Sequence, residues 1–250
     1  MDYQDVLLSP HQYFDYLKQK GDFPSSQKLP KTVLIVYQKA VLSHLLNQYP
    51  HYKGKSFLSK MSFFDTLPVA VCGGFGIGAP ALAIKLEELI AWGVKRFVSI
   101  GTACVLTSEI PVHSLVVAQK VLGVDGVSRH YGDLKAGIEV DLGLKQLLSS
   151  YAMKEGVFPR PVTAMSTDLF FGTTRRDVDD FQSRQAEVLD MESAAFYAIA
   201  KKREVEALSL FVTSDSLATD EWTPGFDSEA TGAELKKAAD FAFRFCIECS

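Results

Sequence analysis

The sequence predicts an α/β protein: a single domain over residues 1–250, three layers deep (α/β/α), around a central, twisted, largely parallel sheet of mixed direction. Three observations predict it. Strand-length apolar runs alternate with helix-period segments from Thr32 onward, which implies right-handed crossovers and a sheet covered on both faces. Several of the runs end in small or polar residues, as strands do where a parallel sheet opens onto a crevice. No repeat, low-complexity tract or Pro/Gly-rich linker divides the chain.

In order, residues 1–30 read as a polar, Lys-rich N-terminal extension. TVLIVY (Thr32 to Tyr37) is a buried strand and Lys39 to Gln48 a helix, after which His51 to Lys60 is basic and irregular. VAVCGG (Val69 to Gly74) is a second strand that runs into GFGIGAP and a helix from Pro80 to Trp92, where proline in the first turn lacks an N–H that would be unpaired anyway. RFVSIG (Arg96 to Gly101) and SLVVAQKVL (Ser114 to Leu122) are the next strands, followed by the polar segment DGVSRHYGD and a helix from Asp141 to Met153. VTAMSTDLFF (Val162 to Phe171) and AEVLDM (Ala186 to Met191) read as strands separated by TTRRDVDDFQSR. ALSLFVTSD (Ala207 to Asp215) is the last strand, a loop with Trp222 and Pro224 follows, and an amphipathic helix from Glu229 closes the chain.

Composition narrows the function classes. The chain is 47% hydrophobic and 22% charged, with a net charge of −4 and no basic block, which argues against a nucleic-acid or anionic-membrane surface. No apolar stretch reaches the length of a membrane span and no signal peptide is visible, so a cytoplasmic protein is expected. The four cysteines are too scattered for a disulfide framework, and Cys246 and Cys249 have no second CxxC or His pair with which to hold zinc. No metal and no cofactor is expected.

The chemistry centres on Val188 to Ala200, VLDMESAAFYAIA. Met191, Ala194, Ala195, Ala198 and Ile199 recur at helical spacing, so Asp190 and Glu192 flank Met191 at a strand-to-helix junction, and Glu192 falls off the apolar face. Asp190 suits an N-cap there. Three further strand ends, GFGIG at Gly74 to Gly78, GTAC at Gly101 to Cys104 and TSD at Thr213 to Asp215, face the same sheet edge. The glycine loop fits G-x-G-x-x-A, but the next strand ends in Ser99, Ile100 and Gly101 without the acid that would hold a dinucleotide's ribose, so a turn that lets backbone approach a smaller anion is preferred. A Ser/His/Asp hydrolase finds no G-x-S-x-G elbow, and His130, beside Tyr131, is the histidine most worth following.

The order of these motifs resembles the nucleoside phosphorylase family of uridine phosphorylase, purine nucleoside phosphorylase and related nucleosidases, from about Thr32 to the final helix. DMESAA is similar to the family's E-M-E-(S/A)-A signature, which implies that Glu192 binds the ribose 2′ and 3′ hydroxyls and that Met191 packs on the sugar. SIGTAC resembles the phosphate segment and implies Thr102 on phosphate, with Gly76 of the glycine loop beside it. Lys55 lies about where a neighbouring subunit would donate an arginine. The middle of the chain resembles the uridine branch, implying Thr173 and Arg175 at the base, whereas TSDSL resembles the purine branch, implying Asp215 as general acid. The expected reaction is cleavage of a purine or pyrimidine ribonucleoside by inorganic phosphate, as co-substrate, to free base and ribose 1-phosphate, in a homo-oligomer. Two departures bear on the nucleophile. Ser99 stands where the family has a phosphate arginine, and VYQKAV replaces the first phosphate loop and its arginine. Lys39, Lys55 or Lys85 would then have to hold phosphate, or water acts in its place, as in the nucleosidases; a nucleoside-binding protein without turnover is the remaining alternative.

Overall fold

The computed structural model describes residues 6–24, 28–54, 56–58, 60–132, 134 and 136–250. β1 (Thr32–Val36), buried throughout, lies between β4 (Val69–Gly73) and β5 (Arg96–Val105) and is parallel to both. Burial on both faces is why its sequence, TVLIV, is uniformly apolar rather than alternating. Beyond β4, the short strands β2 (Tyr52–Lys53) and β3 (Met61–Phe63) finish that edge antiparallel.

On its other side, the ten-residue β5 pairs with β10 (Glu206–Ser216) in parallel. β10 meets β6 (Leu115–Gly123) antiparallel, β6 runs parallel to β8 (Arg160–Ser166), and β8 runs parallel to β9 (Val188–Asp190). β9 returns to β5 antiparallel at Cys104 and Val105, so these five strands close on one another. Closure requires β5 to outlast β1. It runs through GTACV, past the expected end at Gly101, and Thr102 is therefore a strand residue.

Helices cover both faces. α3 (Ala79–Trp92), α4 (Gly126–Tyr131) and α7 (Ser193–Lys202) pack together on one, and α2 (Lys39–Leu46), α5 (Leu142–Glu155) and α8 (Glu229–Glu248) on the other. α3 starts at Gly78 and stops at Gly93, both with positive φ, and the Gly93 N–H closes the last turn on the Leu89 and Ile90 carbonyls. The layered α/β fold read from the sequence is the one observed.

Local differences have local causes. The expected strand to Phe171 ends at Ser166, whose hydroxyl turns inward to Asp190, and Phe170 and Phe171 are exposed. Two polar segments that read as connections are helices: α4, with Asp125 capping the Ser128 N–H, and α6 (Arg175–Ser183), with a Thr174/Asp177 capping box. In the N-terminal segment, a Ser9/Gln12 capping box starts a helix, α1 (Pro10–Gln19), whose Phe14 meets Phe57 at 4.5 Å between ring centroids. β7 (Ile138–Glu139) adds a short partner to β6.

Candidate active site

The β9/α7 junction brings two carboxylates together in the interior, and they do different things. Asp190 Oδ1 accepts from the Ser166 hydroxyl at 2.5 Å and the Ser193 hydroxyl at 2.9 Å; Oδ2 accepts the backbone N–H groups of Ser193 at 2.7 Å and Glu192 at 3.2 Å. It thereby ties the start of α7 to the end of β8. Glu192 makes no cap on its own helix. Its side chain crosses to the backbone N–H of Gly78, at the start of α3. Gly78, with φ of 90°, is the residue that lets the glycine loop present that N–H.

Both carboxylates are pushed up, chiefly by burial, and Glu192, also facing the Asp190 charge, reaches about 8. Asp190 has four donors, whereas Glu192 accepts from Gly78 and faces the Asp190 charge, so the fold holds the Glu192 proton more tightly than an exposed glutamate would. Because the folded chain binds this proton more tightly than the unfolded chain, its contribution to stability is full below the ordinary glutamate range and is lost as pH rises through about 8. Denaturant midpoints should therefore fall between pH about 5 and about 9 in the wild type and fall less steeply in Glu192→Gln. Equal slopes would remove the proton from Glu192.

Beside this junction lies a cavity of about 630 Å³, lined by Ile77, Gly78 and Pro80 of the glycine loop and α3, Gly126, His130 and Tyr131 of α4, and Asp168 and Met191. That volume suits a small organic ligand. Tyr131 is held from behind, donating to Glu87 at 2.7 Å, with Glu87 paired to Arg203 at 2.9 Å. His130, noted in the sequence, is thus a wall residue, while Asp168 and the start of α4 were not foreseen. The signal for α4 was Asp125 three residues before Ser128, a helix start inside a polar stretch.

Asp215 owes its place to an irregularity. The β10/β5 register shifts between Thr213 and Asp215, so that Asp215 stands opposite Cys104. The Ser214 hydroxyl donates to its Oδ1 at 2.7 Å and the Trp222 indole N–H to its Oδ2 at 2.9 Å. Burial, followed by the Asp215 charge, pushes the Cys104 thiol up and keeps it protonated. Trp222 continues through Phe226 to Phe170 and Phe171 as a chain of exposed aromatic rings. Arg175 holds the loop that carries Trp222, donating to the carbonyls of Thr219 at 2.7 Å and Leu217 at 3.3 Å and pairing with Asp179 at 3.2 Å. It is not among the residues that line the cavity; nor is Thr173, which is half-buried just before α6.

At the ends of β1 and β5, the Gln38 amide donates to the Thr102 hydroxyl at 3.2 Å, while the Gln38 carbonyl oxygen is buried without a partner. Tyr37 lies against Gly101, where a Cβ would come within 3.0 Å of its ring, and meets Phe75 of the glycine loop edge-on at 6.1 Å. Burial and then the charges of Glu192 and Asp190 push the Tyr37 phenol up. Gly76, with φ of 112°, is exposed on the same loop. Ser99 is internal, bonded to Ser209 at 2.9 Å; Lys85 is engaged by Glu88 at 2.5 Å and the Phe57 carbonyl; Lys39 is exposed at the first position of α2. Lys55 lies outside the described residues.

The chain compares with known proteins as follows. A profile of the Phosphorylase superfamily matches residues 39–249. A DeoD-type purine nucleoside phosphorylase of Lactococcus lactis subsp. cremoris is 27% identical over 166 residues, 66% of this chain and 70% of that protein. Another, from Caldanaerobacter subterraneus subsp. tengcongensis, is 26% identical over 168 residues, 66% of this chain and 72% of that one. In fold, the chain is similar to the purine nucleoside phosphorylase of Toxoplasma gondii, solved with immucillin-H: the TM-score is 0.76 at 17% identity, covering 88% of this chain and 92% of the other. It is also similar to the 5′-methylthioadenosine/S-adenosyl homocysteine nucleosidase of Campylobacter jejuni, with a TM-score of 0.73 at 18% identity over 87% and 98% of the two chains.

Proposed function

The chain belongs to the Phosphorylase superfamily, and from that membership we propose that it cleaves the N-glycosidic bond of a purine ribonucleoside, with Glu192 on the sugar and Asp215 at the base. One observation carries the proposal. Glu192 is a buried carboxylate whose side chain leaves its own helix to accept from the Gly78 N–H, at the wall of a nucleoside-sized cavity that Met191 also lines.

Cleavage builds positive charge on the sugar and negative charge on the departing base. Glu192, once ionised, accepts from both ribose hydroxyls, fixes the ring and favours the cationic sugar. Asp215, in its protonated form, gives a proton to the base as it leaves. The aromatic rings from Trp222 to Phe170 offer flat surfaces for the base. The purine assignment is supported by Asp215 and by the curated relatives, which are named as purine nucleoside phosphorylases. The resemblance implies phosphate as the acceptor of the ribosyl group, in a homo-oligomer, with water as the alternative acceptor.

Incubating the purified protein with inosine, adenosine and uridine and measuring free base tests the proposal. Release from the purine nucleosides is expected. Binding of all three without release would contradict it and make this a nucleoside-binding protein.

A further inference from the structure

We propose that Glu87 and Arg203 are positioning residues: their buried ion pair fixes the lengthwise register of α3 against α7, and with it the place of Glu192 beside Gly78. The inference rests on the reading above, in which Glu192 holds the ribose hydroxyls, and names the residues that hold Glu192 in place from outside the cavity.

α3 and α7 both begin at the site and run from it side by side. Gly78 precedes the first residue of α3 and Glu192 that of α7, and the two meet where the Glu192 carboxylate accepts the Gly78 N–H. Glu87 and Arg203 lie roughly 15 Å further along each helix, at about 1.5 Å per residue. There the Arg203 guanidinium grips Glu87 with two nitrogens, Nε at 3.0 and 3.1 Å from the two carboxylate oxygens and Nη2 at 2.9 Å from Oε1. The helices are thus joined at two levels. A slip of one residue along either axis, about 1.5 Å, would break both joints together.

The pair suits geometry better than stability. The Arg203 and Glu87 side chains are 10% and 11% exposed. At that depth an ion pair adds little over apolar side chains of the same size, because desolvation offsets the attraction, and its best-attested use is to fix register. α7 has need of such a device: its buried run SAAFYAIA is rich in alanine, and rows of alanine form shallow ridges that resist sliding weakly. Tyr131 adds a third tie. Its hydroxyl donates to Glu87 Oε1 at 2.7 Å, and the Arg203 Cζ sits over its ring, 5.9 Å from the centroid, so the α4 wall of the cavity is fastened to the same pair. Burial, and then the Glu87 carboxylate, push the Tyr131 phenol up and keep it the donor. The demand for precision comes from the site: a misplacement of about 1 Å costs on the order of 10²-fold in rate.

The test uses the full chain, with inorganic phosphate present, and measures adenine release from adenosine and from 2′,3′-dideoxyadenosine. The first variant carries Glu87→Met together with Arg203→Met, which removes both charges and leaves apolar side chains in their place, so its denaturant midpoint should stay near that of the wild type. Its kcat/KM for adenosine should fall about 10- to 10²-fold, while that for dideoxyadenosine, which has no hydroxyls for Glu192 to meet, should hardly change. Equal losses on both substrates, or no loss, would overturn the inference and leave Glu192 on the ribose. Arg203→Lys, which keeps the charge and loses the planar fork, carries the test if the double variant does not fold. A several-fold loss confined to adenosine is expected of it, and equal effects on the two substrates would overturn the inference. A wild type that cleaves neither nucleoside, or both at the same rate, would instead remove the ribose reading of Glu192, and this inference with it.

Discussion

Glu192→Ala is expected to lower kcat/KM for a purine ribonucleoside by about 10³-fold or more while leaving the fold intact. The size follows from what is lost together: the group that orients the sugar and the negative charge that favours a cationic transition state in a buried setting. The intact fold follows from the division of labour at the junction. Asp190 and the Ser166 hydroxyl, which accepts the Ala194 N–H, hold the start of α7 to the end of β8, and Glu192 gives up its contact to Gly78. Steady-state kinetics beside a denaturation curve checks both halves. A variant that is clearly less stable yet, while folded, keeps its specific activity would make Glu192 a structural carboxylate.

Asp215→Asn should reduce purine cleavage by about 10²- to 10⁴-fold, the range associated with a positioned acid. The substitution is nearly isosteric and keeps an acceptor for Trp222, so the loop that Arg175 secures should stay in place. What disappears is the carboxyl proton. A nucleoside methylated at N7 carries a base that is already cationic and leaves without that proton, so the variant should cleave it at close to the wild-type rate. Equal losses on both substrates would show that Asp215 shapes the site without donating to the base.

The parts of this site legible in the sequence are those carried by neighbours along the chain. Asp190 at a strand end before a helical apolar face reads as a cap, and it caps. β1, β4, β5, β6 and β10 read as strands because short runs rich in Val, Ile, Leu and Phe alternate with helix-period segments. The remaining features depend on chain distant in sequence. Gln38 meets Thr102 across a separation of 64 residues, and nothing in VYQKAV foretells which amide end would be left unpaired. The exposed pair Phe170 and Phe171 reads as strand by hydrophobicity, yet it lies beyond Ser166, where the inward turn to Asp190 stops β8. The pairing of β5 with β9, which closes the five strands, follows from the length of β5 and from only two residues of β9. Arg175 shows the limit of resemblance: a cation at the position expected for base recognition holds loop carbonyls instead.

The central claim, that Glu192 holds the ribose hydroxyls, is tested most directly by a cycle of two changes: kcat/KM for adenosine and for 2′,3′-dideoxyadenosine, each in the wild type and in Glu192→Ala. If the carboxylate and the hydroxyls meet, removing the hydroxyls costs the wild type about 10²-fold or more and costs the variant almost nothing. The same discrimination in both proteins would mean that Glu192 does not touch the sugar.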